Sequence, residues 1–185
     1  MTGKASEPPF AIPGAPPRVA VSRGRGPYDN TREALARFDP GTAAGRTVLV
    51  KPNAGRVASP DSGVVTNPEV VAAVIDAFVE AGARVSVGES PITGVDTMEA
   101  FESSGIARVA RERGIPLLDM DEGRPVRVTI PNGRALKVLR VCPQVTNHDL
   151  VVSVPVMKTH MHTGVTLSIK NMKGCLWRRS KIALH

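Results

Sequence analysis

The sequence predicts an α/β fold: a mostly parallel sheet with helices on both faces and a β-hairpin insertion. Three observations carry this. Short β-branched runs alternate along the chain with stretches whose apolar residues recur at three- and four-residue spacing. The runs are apolar throughout rather than alternating, as in parallel strands covered on both sides. Two late runs flank an Asn-Gly pair, the commonest hairpin turn signal. The composition agrees with such a core. Apolar residues make up 42% of the 185 residues but aromatic ones only 3%, so Val, Ala, Leu and Ile must fill the interior.

Residues 1–17 hold Pro8, Pro9, Pro13, Pro16 and Pro17 and read as a flexible arm, leaving 18–185 as a single domain. Arg18–Ser22 alternates and predicts a strand. Asn30 is placed to cap a short helix carrying Leu35 and Phe38. Thr47–Lys51 is a buried strand stopped by Pro52-Asn53. After a Gly/Ser/Pro loop, Asn67 with Pro68 at the first helical position opens a helix; Thr66 with Glu69 as a capping box is the alternative. Val70, Val71, Val74, Ile75, Phe78 and Val79 give that helix one apolar face, and Gly82 ends it. Arg84–Gly88 is a second buried strand. Thr97–Arg113 is helical, interrupted at Ser103-Ser104-Gly105. Pro116–Asp119 is a third strand. Val126–Ile130 and Ala135–Val141 form the hairpin, and Asp149–Met157 is a last buried strand.

Several function classes are excluded at this stage. Cys142 and Cys175 are the only cysteines, too few for a four-cysteine zinc or iron–sulfur site within this chain. No apolar run approaches the roughly 18 residues of a membrane span. The first 30 residues show no secretory pattern, so a cytoplasmic location is expected. P-loop, dinucleotide-binding and nucleophile-elbow spacings are missing.

The net charge is +7, and it is not spread evenly. Leu150–His185 contains no Asp or Glu, while Lys158, Lys170, Lys173, Arg178, Arg179 and Lys181 supply six positive charges. Ligands of open α/β sheets sit beyond the carboxyl ends of the strands. Applied here, that rule brings Lys51 and Asn53, then Glu89 and Ser90, then Lys158, Thr159 and His160 to one rim. Charges placed there must pair with one another or face a polar ligand.

The stretch 158–174 is the densest in chemistry. His160 and His162, two apart in an extended loop, point to the same side and form half of a divalent-metal site. Glu89, Asp119 or His185 could complete it. The same imidazoles beside lysines also suit anion binding or acid–base work. Thr163-Gly164 is a candidate helix start, with Thr166, Lys170 and Lys173 on one face; Val165, Leu167 and Ile169 fit a strand equally.

Val48-Leu-Val-Lys-Pro-Asn53, Thr66-Asn-Pro-Glu69, Val87-Gly-Glu-Ser90, Lys158-Thr-His160 and Thr166-Leu-Ser-Ile-Lys-Asn171 with Gly174 together resemble the domain-of-unknown-function 362 family. The resemblance runs in order from about Arg18 to His185. It implies a bacterial or archaeal α/β protein linked to redox work, since many members carry a ferredoxin-like 4Fe–4S module. A ferredoxin-like redox partner follows as an expectation, with no cluster held by this chain alone. Family members usually continue past the position matching His185, so a truncated or split version that needs a partner, or an oligomer, is expected as well.

The leading expectation is an enzyme, or part of one, that binds a small anionic substrate at the strand rim. Lys51, Lys158 and Lys170 would neutralise the substrate. Asn53, Thr66, Asn67, Glu89, Ser90, Thr163, Thr166 and Asn171 would contact it. His160 and His162, with Lys158 and Lys170, would supply acid–base or metal chemistry. The alternatives are a basic module for nucleic acid or an acidic protein, and an inactive fragment. Trp177 is the only aromatic in the basic stretch, which speaks against single-strand stacking.

Overall fold

The computed structural model describes residues 16–181. The arm expected over 1–17 therefore lies almost wholly outside the described residues, as does His185. In chain order the elements are α1 (Pro27–Leu35), β1 (Thr47–Pro52), α2 (Pro68–Glu80), β2 (Arg84–Glu89), α3 (Thr97–Ser103), α4 (Ile106–Glu112), β3 (Leu117–Asp119), β4 (Val126–Thr129), β5 (Val138–Val141), α5 (Pro143–Asn147), β6 (Leu150–Val154), β7 (Lys158–His160), β8 (Gly164–Thr166) and α6 (Ser168–Asn171).

The expected α/β architecture is present. Four parallel strands lie in the order β3-β2-β1-β6. The chain runs from β1 through β2 to β3 on one side, then returns to place β6 on the other. The order thus reverses between β1 and β6, where Lys51 is level with Ser153 and Pro52 with Val154. Such a reversal opens a crevice at the carboxyl ends, because the loops leave in opposite directions.

Alternation along the strands divides the core in two. Val48, Val50, Val85 and Val87 face the larger cluster, which α2 fills with Val71, Ile75 and Phe78 and α4 with Ile106 and Val109. Leu49 faces the second cluster, with Met120, Cys142 and Cys175, covered by α5 and the turn after α6. A Cβ at Gly88 would stand 2.9 Å from Leu49 Cδ1 and 3.1 Å from Met120 Sδ, so the missing side chain makes room for Met120. Local signals set the helix ends. Asn67 accepts from Glu69 N at 2.8 Å, and Gly105, at φ 73, separates α3 from α4. Tyr28 Oη and Arg113 both donate to Asp76, tying α1, α2 and the end of α4 together.

Several local expectations change. The last strand, expected over Asp149–Met157, ends at Val154, where Pro155 offers no N–H, and leaves Met157 exposed; Phe38 lies past the end of α1. Arg18–Ser22 is not a strand: it pairs with no strand among the described residues, leaves Val19 and Val21 exposed, and binds α1 by Ser22 Oγ donating to Glu33 at 2.8 Å. Asn30 does not cap α1, which starts at Pro27; its Oδ1 accepts from Arg25 N instead. The hairpin strands are shorter than predicted, because 130–137 folds as a wide turn with Asn132 at φ 56. Thr163-Gly164 opens β8 rather than a helix. Gly164 at φ 72 reverses the chain into an antiparallel pair with β7, and α6 begins only at Ser168.

Candidate functional site

A cleft of about 540 Å³ lies at the carboxyl ends of β1 and β2, walled by the β7–β8 hairpin and the 170–174 turn. Its floor is an ion pair. Lys51 Nζ lies 2.7 Å from Glu89 Oε1, and both side chains are almost fully buried, at 1% and 3% exposure. Every remaining valence is met. Lys51 Nζ also donates to Pro52 O and Asn171 Oδ1; Glu89 accepts from Ala54 N at 3.0 Å and Ser90 N at 2.8 Å. Asn171 locks the arrangement by donating to Lys51 O and Ser153 Oγ. A buried pair persists only when satisfied in this way.

Gly174 covers the pair. A Cβ there would stand 2.6 Å from Glu89 Oε1 and 2.8 Å from Lys51 Nζ, closer than carbon approaches either atom. The turn holding Gly174 is fixed from below. Cys142 N donates to Cys175 O at 2.9 Å, and Val141 bridges Leu176. Burial pushes the Cys142 thiol up to about 12 and the Cys175 thiol to about 11, so both behave as core residues.

The walls are cationic. Arg56, Lys158, Lys170, Lys173 and Lys181 line the cleft together with Lys51, and Glu89 is the one carboxylate among the lining residues. Lys181 is paired with Asp121 at 3.2 Å and also donates to Ser90 and Pro91. Arg56, Lys158, Lys170 and Lys173 form no ion pair among the described residues. Lys158 donates to Asn53 Oδ1 at 3.2 Å and to Val64 O. Burial, with Arg56 and Lys170 nearby, holds its ammonium below the ordinary lysine range. Lys173 Nζ is withdrawn from solvent and has no hydrogen-bond partner among the described residues. Burial, then Lys170 and Lys181, lower it too.

Of the residues singled out from the sequence, Lys51, Asn53, Glu89, Ser90, Lys158, His160, His162, Thr166, Lys170 and Asn171 line this one cleft. Thr66, Asn67 and Thr163 do not. Thr66 is buried, accepting from Asn53 N and donating to Val154 O, so it joins β1 to β6. Asn67 caps α2, and Thr163 donates to Val165 O within the hairpin. His160 Nδ1 accepts the amides of His162 and Thr163, which shapes the turn. The His160 and His162 rings are 5.8 Å apart. Among the described residues no group of three His, Cys, Asp or Glu gathers around a common point, and Asp119 is turned to Asp121 N. Arg56, Lys173, Gly174 and Lys181 were not selected from the sequence as site residues. For Lys173 and Lys181 the available signal was the absence of acids after Leu150.

The family model described as domain of unknown function (DUF362) matches residues 48–185, from the start of β1 onward. The chain belongs to this family. A relative by sequence is the thylakoid-associated protein sll1697 of Synechocystis sp. (strain ATCC 27184 / PCC 6803 / Kazusa), 30% identical over 141 residues. That match covers 76% of this chain but 42% of the relative, so the chain spans less than half the length of that protein. No solved structure matches. Among the described residues no helix is long and apolar enough to cross a membrane.

Proposed function

We propose that this DUF362 chain is the substrate-binding part of a cytoplasmic enzyme, and that its cleft takes a small anionic ligand, a carboxylate or a phosphate. The observation that carries the reading is the charge balance of the walls. Among the described residues the single lining carboxylate is spent on Lys51, while Arg56, Lys158, Lys170 and Lys173 have no acid in an ion pair with them. Positive charge held at close quarters in a concave site raises the local concentration of anions and favours their binding. The roles expected from the sequence shift accordingly. Lys51 fixes the floor, Lys158 and Lys170 face the ligand, and His160 and His162 line the same cleft as the acid–base candidates. A divalent ion held by His160 and His162 would need its other ligands from the substrate or from outside the described residues. A redox role with a ferredoxin-like partner rests on the family resemblance alone.

The test is calorimetric titration with phosphate, citrate and acetate at fixed ionic strength, on the chain and on Lys158→Ala combined with Lys170→Ala. Saturable binding that the double variant loses supports the reading. Tight, steeply salt-dependent binding of duplex DNA, without saturable binding of the small anions, would replace it by the nucleic-acid module.

A further inference from the structure

Among the cleft lysines, Lys173 stands apart. Lys51 is paired with Glu89, Lys181 with Asp121, and Lys158 donates to Asn53 Oδ1 and Val64 O. Lys173 Nζ is buried against the cleft with no acceptor among the described residues. An ammonium taken out of water without a partner is costly. The groups that face it offer no relief: Lys170 on α6 and Lys181 beyond the turn are both cations, and the Lys51–Glu89 pair beneath Gly174 is already neutral and saturated. The site therefore lacks one thing, a negatively charged acceptor between Lys170 and Lys173.

We propose that Lys173, with Lys170 beside it, anchors a phosphate subsite, and that the ligand of the cleft is a phosphate-bearing small molecule. This rests on the anionic-ligand reading and narrows it. A carboxylate brings one charge to two uncompensated ammoniums. A phosphate monoester is close to dianionic at neutral pH and offers three acceptor oxygens, enough for both. The cleft is also far larger than one phosphate, at about 540 Å³, and Val64, Ile92 and Met161 give it apolar wall for an organic body. Arg56 and Lys158, neither of them in an ion pair among the described residues, then remain to meet the far end of that body.

Binding should carry a proton signature. Burial, Lys170 and Lys181 hold the Lys173 ammonium below its ordinary range in the empty cleft, and a bound dianion restores it. Phosphate binding in the alkaline range should therefore take up a proton, and affinity should fall as pH rises through that range.

The experiment is titration calorimetry of the full chain with inorganic phosphate and with glycerol 3-phosphate, in two buffers of different ionisation heat, with acetate as the monoanion. Lys173→Met should weaken phosphate binding roughly tenfold or more. Lys137→Met, on the exposed hairpin turn, should leave it unchanged. Lys173→Arg keeps a permanent charge, so it should bind phosphate with a smaller buffer-dependent heat, Lys158 supplying any remainder, and it decides the matter if the Met variant fails to fold. Wild-type affinity in Lys173→Met with loss in Lys158→Met overturns the subsite and leaves the anionic cleft standing. Acetate binding as tightly as phosphate, or buffer-dependent heat undiminished in Lys173→Arg, also overturns it. No binding of any anion by the unaltered chain at low salt overturns both readings.

Discussion

Replacing Glu89 by Gln tests the floor of the cleft directly. The substitution keeps the shape and removes the charge. Lys51 Nζ then loses its charged partner at 2.7 Å while 1% exposed, and is left with neutral acceptors, among them Asn171 Oδ1 and Pro52 O. Breaking a buried pair by removing one member costs about 3–5 kcal/mol, because the other charge is left uncompensated. The amides of Ala54 and Ser90 add to this, since one carboxamide oxygen replaces two carboxylate oxygens and the NH₂ group opposes a second donor. The expected loss is therefore about 3 kcal/mol or more, or roughly 6–12 °C in Tm for a chain of this size. Lys51→Met should cost a similar amount. The double variant should cost less than the sum of the two by about 2 kcal/mol, because neither charge is then stranded. Urea unfolding at equilibrium measures all three, with an unchanged m-value as the check on two-state behaviour. Single variants that each cost under about 1 kcal/mol and add without coupling would show the pair to be solvated, and the account of the floor would fall.

Three further outcomes follow from the same geometry. Gly174→Ala should destabilise the chain, since its Cβ would sit 2.6 Å from Glu89 Oε1 and 2.7 Å from Lys51 Cε; thermal melting checks this, and a wild-type Tm would refute it. Cys142 and Cys175, with thiols raised to about 12 and about 11, should resist a thiol reagent at pH 8 in the folded chain and react in urea, measured by mass spectrometry. Burial alone would raise the Asp76 carboxyl, but the Arg113 guanidinium and the Tyr28 hydroxyl outweigh it and hold it below the ordinary range. Its contribution is thus complete above the unfolded carboxylate range and lost as pH falls through the lower folded value, so Asp76→Asn should flatten the acid limb of a stability–pH curve.

The parts of this fold written in short-range pattern were legible. Continuous apolar runs marked β1, β2 and β6, and Asn67-Pro68 marked the start of α2. The rule that ligands gather at strand ends placed Lys51, Glu89 and Lys158 near one another. What escaped was set by partners distant in sequence. Arg18–Ser22 has the alternation of a strand, but a strand also requires a neighbour, and this segment pairs with no strand among the described residues. Thr66 and Asn67 looked like rim residues because they precede a helix at the right end of the sheet. Their polar atoms are consumed by Val154 O and Glu69 N, as helix caps and strand couplings commonly require. Gly174 and Lys173 reach the cleft only because Cys175 O and Leu176 are held by the end of β5, a contact that no local pattern announces.

The saturated pair and the unsatisfied lysines belong to one arrangement. Had Glu89 been free, it would neutralise whichever lysine came nearest and weaken the field of the cleft. Held by Lys51 and two amides beneath Gly174, it is unavailable to the walls. The same contacts fix the 170–174 turn, so Lys170 and Lys173 are set by a rigid floor rather than by mobile side chains alone. Cations positioned in advance bind an anion with less reorganisation than cations that must first leave partners. The chain therefore spends the buried carboxylate of Glu89 on geometry, and the positive charge left over is the part that a ligand would meet.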